Sequence, residues 1–125
     1  MADDLVGRWS IDSKTSTGIT IKQDLSSEIE VNVNQIYIRT RLSRSKDRFF
    51  MFLQRPLDLG RGGLLLDWQN YSKNIPIAEL RPDEEGSLNF SWKGFYDIRK
   101  KAFTWIEEAD FFRDNPATFY HCNDY

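Results

Sequence analysis

The sequence predicts an all-β protein, a single antiparallel β-barrel or strongly bent sheet of about eight to ten short strands with at most one short helix. Three observations carry this. Aromatic residues make up 14% of the 125 residues, and they favour pleated surfaces. Apolar residues alternate with polar ones through most of the chain, as in Glu28-Ile29-Glu30-Val31-Asn32-Val33. Turn-forming clusters such as Arg81-Pro82-Asp83-Glu84-Glu85-Gly86 recur between these runs.

Taken in order, Leu5 to Ile11 reads as a first strand, with Leu5, Gly7, Trp9 and Ile11 on one face. Residues 13–18 have turn composition, and Ile19 and Ile21 mark a second strand. After the strand at residues 28–33 the alternation slips at Asn34-Gln35. From there Ile36, Ile38, Thr40 and Leu42 share a face opposite Tyr37, Arg39 and Arg41. A two-residue turn or a bulge produces such a slip, and Gln at the second turn position favours the bulge.

Arg44 to Arg48 reads as a loop before a strand from Phe49 to Gln54. Leu64 to Trp68 and Ile75 to Leu80 read as further strands, the second joined by a hairpin to the strand after Gly86. Phe95-Tyr96 and Ala102 to Ile106 flank the charged turn Asp97 to Lys101, so residues 87–106 read as paired barrel strands. Residues 106–114 suit one or two helical turns ending before Pro116, and Thr118 to Cys122 a last strand. No linker, repeat or low-complexity segment divides the chain, so residues 1–125 are expected to form one domain.

Gly7-Arg8-Trp9, a Gly-x-Trp in the first strand of an antiparallel series, resembles the calycin group of lipocalins and fatty-acid-binding proteins. The resemblance implies an up-and-down barrel closed at one end by the tryptophan. It also implies a carrier of a small hydrophobic ligand, with Trp9, Trp68, Trp92 and Trp105 lining or closing the cavity. The chain departs from the group in lacking a helix-turn-helix lid in residues 12–35 and a Thr-Asp-Tyr motif.

Residues that carry chemistry are sparse. His121 and Cys122 are the sole histidine and cysteine, and on one strand they point to opposite faces, which argues against a nucleophile–base pair. One of each cannot build a typical zinc site, so neither metal nor cofactor is expected. Gly60-Arg61-Gly62-Gly63 lacks the Lys-Ser/Thr ending of a phosphate loop and reads as a turn. Glu107 and Glu108 would diverge on a strand, leaving only a distant carboxylate such as Asp67 or Asp97 as a hydrolytic partner. The expectation is therefore a protein without enzymatic activity.

Charge is a better guide. The formal net charge is −2, and Arg39, Arg41, Arg44, Lys46 and Arg48 read as a solvated strand and loop, so nucleic acid is not an expected partner. No apolar run approaches a membrane span, and no signal peptide is evident. The expected compartment is the cytoplasm, or the periplasm for a mature chain whose signal peptide has been removed.

Acidic residues gather instead near the C-terminus, where Glu107, Glu108, Asp110 and Asp114 accompany Phe111 and Phe112. Aromatic anchors with steering charges suit a protein–protein interface. These six residues are the expected partner-binding site. The function expected is that of a small inhibitor, or of a bacterial immunity-type protein, that binds and neutralises another protein. The alternative is the lipocalin-like carrier.

Overall fold

The computed structural model describes residues 5–10, 18–32, 35–109 and 116–122. Eight antiparallel strands close into a barrel: β1 (Gly7–Ser10), β2 (Gly18–Ile21), β3 (Ser26–Asn32), β4 (Ile36–Ser45), β5 (Arg48–Leu59), β6 (Ala78–Pro82), β7 (Ser87–Trp92) and β10 (Ala117–Cys122). From β1 to β7 each strand pairs with its neighbour in the chain, β7 pairs with β10, and β10 pairs with β1 to complete the circle, Trp9 lying opposite His121. Strands β8 (Phe95–Asp97) and β9 (Ala102–Thr104) form a separate two-stranded sheet between β7 and β10. A closed eight-stranded up-and-down barrel is compatible with a calycin-like fold.

Alternation sets the two faces. Ile29 pairs with Ile19 and Ile38, and all three are fully buried, whereas Glu28 and Arg39, each the next residue along, lie on the outside. From β3 to β7 and β10 the inward set includes Ser27, Ile29, Val31, Ile36, Ile38, Thr40, Leu42, Met51, Leu53, Ala78, Leu80, Leu88, Phe90, Trp92, Ala117 and Phe119. Ile29, Val31, Ile38, Met51, Ala78, Leu80, Leu88, Phe90 and Phe119 expose no measurable surface to a water-sized sphere, so they pack on one another and border no void of that size. Phe90 stacks on Phe119 with ring centroids 5.1 Å apart. Burial of each such side chain contributes about 1.5–3 kcal/mol. The one polar pair in this set, Ser27 and Thr40, sits on opposed positions of β3 and β4, their hydroxyl oxygens 2.5 Å apart.

Several elements differ from the sequence reading. β3 ends at Asn32 and the antiparallel β4 begins at Ile36, so the chain reverses between them rather than continuing as one bulged strand, and the register shift in this ladder lies earlier, between Glu30 and Asn32. Gln35 N donates to Asn32 O, and the poor turn residue is retained because its side-chain Oε1 accepts Gly62 N at 2.6 Å. Lys46, with φ of 56°, and Asp47 alone turn β4 into β5, so the expected loop at residues 44–48 is a tight hairpin. β5 runs on through Pro56 to Leu59, where register shifts against β4 absorb the proline. Residues 64–68 are not a strand. Arg61–Leu64 makes one helical turn, α1, and Trp68–Asn70 a 3₁₀ turn, because Gly62 and Gly63 let this segment approach the Gln35 turn closely. Finally, β8 and β9 lie outside the barrel sheet.

Candidate functional site

In this topology the connections β1–β2, β3–β4, β5–β6 and β7–β10 all leave from one end of the barrel, and the short turns β2–β3, β4–β5 and β6–β7 from the other. The long segments at 60–77 and 93–109 therefore form a cap at the first end. An aromatic chain holds it: Trp92 in the barrel meets Phe95 edge-on at 5.4 Å, and Phe95 meets Tyr71 and Trp68 at 5.2 and 5.0 Å. Backbone bonds from Ile98 N to Asn70 O and from Ser72 N to Tyr96 O join the two halves of the cap.

Glu107 and Glu108 sit in an exposed turn after β9. The turn is tied to the barrel rim by Asn32, whose Nδ2 donates to the Glu108 carbonyl at 3.1 Å. Asp110, Phe111, Phe112 and Asp114 lie outside the described residues. Sequence reasoning missed Leu64 and Leu65, which are 68% and 83% exposed at the end of α1. The Gln35 side chain bonds Gly62 of α1, and Asn32 at the end of β3 bonds the glutamate turn, so the turns that carry the leucines and the glutamates are both tied to the β3–β4 end of the barrel. Ile98, 55% exposed, adds apolar surface on the β8–β9 side of the cap. A signal was present in the sequence, since three consecutive leucines between glycines and Asp67 break the alternation that a half-buried strand requires.

The four tryptophans do not line a common cavity. Trp9 is buried in the barrel, with its indole N–H donating to Leu5 O at 2.9 Å and its ring 4.9 Å from that of His121. Trp68 and Trp92 belong to the cap contacts at the other end. Their N–H groups donate to Gly63 O and Trp105 O, and Trp105 itself is half-buried. Trp9 and His121 instead border a cleft of about 360 Å³ against the β6–β7 turn, with Leu5, Pro82, Glu84 and Ser87 among its walls. Asp83 builds that turn by accepting Ser87 N and Glu85 N, and the Ser87 hydroxyl holds its carboxyl below the usual carboxylate range.

His121 points to the inner face, and its Nε2 lies 3.1 Å from Val6 O, a contact the Nε2–H tautomer makes by donating. Cys122 lies on the opposite face, as the strand alternation predicts. Asp97 is buried, and its Oδ1 accepts the backbone N–H groups of Arg99 and Lys100, which makes it the anchor of the β8–β9 turn. Among the described residues no three His, Cys, Asp or Glu side chains gather closely enough to hold a metal ion. No helix among them is long and apolar enough to cross a membrane. No protein family matches the chain, and neither does any curated protein or solved structure.

Proposed function

We propose that the chain is a non-catalytic binding protein that engages and neutralises a partner protein, as small inhibitors and immunity-type proteins do. The partner is met by the capped end of the barrel. The observation that carries this is the pair Leu64 and Leu65, left in solvent at the same end of the barrel as the exposed turn Glu107–Glu108. Burying both leucines under a partner would supply about 3–6 kcal/mol of apolar transfer. The carboxylates would set the approach to a basic patch.

The test is affinity capture from the source organism, followed by measurement with the purified partner. Wild type is compared with Leu64→Asp/Leu65→Asp and with Glu107→Lys/Glu108→Lys. The first variant should abolish binding. The second should slow association and flatten its salt dependence. Retention of full affinity by both variants would overturn the proposal.

The carrier reading keeps one specific support, the partly apolar cleft beside Trp9 and His121. Titration with fatty acids while Trp fluorescence is followed separates the readings. Saturable quenching at stoichiometric ligand, lost on Trp9→Phe, favours the carrier.

A further inference from the structure

Residues 36–59, the β4–β5 hairpin, hold six Arg or Lys and two Asp, a net charge of +4 in a chain whose total is −2. Alternation sends much of this charge outward. Tyr37, Arg39 and Arg41 project from β4, and Phe50, Phe52 and Gln54 from the facing β5, all on the outside of the barrel and half-buried. Arg39 and Arg55 occupy directly opposed positions. Like charges so placed repel across a strand pair, and an anion between them removes the penalty. Among the described residues no carboxylate lies within ion-pair distance of Arg39, Arg41 or Arg55. The Asp24 carboxyl is held below the usual range chiefly by hydrogen bonds from Ser26 and in small part by the nearby Arg39 charge. Arg39 donates to Gln54 at 3.3 Å, and Glu28, which opposes Arg39 on β3, accepts the Tyr37 hydroxyl at 2.7 Å instead. The Arg41 guanidinium carbon lies 4.4 Å from the centre of the Phe52 ring.

We propose that this outer face of β4 and β5 binds single-stranded nucleic acid. Arg39, Arg41 and Arg55 take the phosphates, while Phe50 and the Arg41–Phe52 stack receive bases. Charge alone would suit any polyanion. Aromatic rings set at alternate positions among the arginines favour a strand with flat bases to stack. The chain's acidic total conceals the site, because the remaining residues carry the compensating negative charge.

The probe is a fluorescein-labelled ten-nucleotide oligothymidylate, followed by anisotropy at 50 mM and 200 mM salt. Saturable binding is expected, about 20-fold weaker at the higher salt for three phosphate contacts. Arg55→Ala, at an exposed position, should weaken binding about 8-fold at 50 mM salt. Phe50→Leu should weaken oligothymidylate while leaving inorganic polyphosphate of equal charge unaffected. Absence of saturable binding at 50 mM salt would overturn the proposal. So would equal affinity for polyglutamate of the same charge, or indifference to both substitutions. An unchanged circular dichroism spectrum and a melting temperature no lower than wild type for Arg55→Ala keep the result independent of folding.

Discussion

The indole N–H of Trp92 donates to the backbone carbonyl of Trp105 at 3.0 Å, joining the last inward position of β7 to the cap. Trp105 holds a left-handed backbone conformation, φ 58°, that aims this carbonyl back at the barrel. Trp92→Phe keeps a ring at the site but leaves the carbonyl without this donor, and should cost about 1–3 kcal/mol. Urea denaturation checks this. Loss below about 0.5 kcal/mol would mean that the cap holds without the bond.

Ser27 and Thr40 satisfy each other inside the barrel wall. Thr40→Val strands the Ser27 hydroxyl in apolar surroundings and should cost about 1–3 kcal/mol. Adding Ser27→Ala should recover most of that loss, because both partners are then apolar. A double-mutant cycle by chemical denaturation reads the coupling, and simple additivity would contradict it.

Tyr37 gives an alkaline signature. Burial first, then its hydrogen bond to Glu28, pushes its phenol up from 10.0 to about 12. A raised pKa means that the fold favours the protonated phenol, so the stabilisation is complete below pH 10 and lost as pH rises through about 12. Between those values the wild type should lose stability faster than Tyr37→Phe. Denaturation midpoints across that window, with phenolate absorbance followed in parallel, make the comparison. Identical slopes would show that Tyr37 titrates normally.

Gly7 combines a φ of +128° with contact against the His121 ring, where a Cβ would collide. Gly7→Ala should therefore destabilise by about 2 kcal/mol or more through backbone strain and the displaced imidazole. Gly7→Ala combined with His121→Ala should recover the steric part alone. A melting temperature for Gly7→Ala equal to wild type would exclude both effects.

Much of the fold was legible because β3, β4, β6 and β7 are half-buried, and period-two alternation records which side faces the core. Ile36, Ile38, Thr40 and Leu42 were readable for that reason. The cap was not, because local pattern does not report on it. Leu64 and Leu65 look like core residues in sequence, yet they are exposed, since glycines pin α1 to the Gln35 turn by backbone contacts. Likewise, Phe95 and Tyr96 pair correctly with the strand after Asp97 but outside the barrel, which pairing text alone cannot distinguish. Of the six expected partner-binding residues, Glu107 and Glu108 proved exposed, while the exposed Leu64 and Leu65 at the same end of the barrel emerged from the three-dimensional arrangement.

The seam between β1 and β10 also fixes when the barrel can close. It joins residues separated by most of the chain, as in the contact between Val6 and His121, whereas every other barrel pairing except β7–β10 links neighbours in sequence. Loop-closure entropy makes such a contact slow to form. During synthesis the meander from β1 to β7 can assemble while the outer edges of β1 and β7 stay unpaired. Ring closure waits until β10 has been made, and until then the nascent protein depends on whatever shields those two strands.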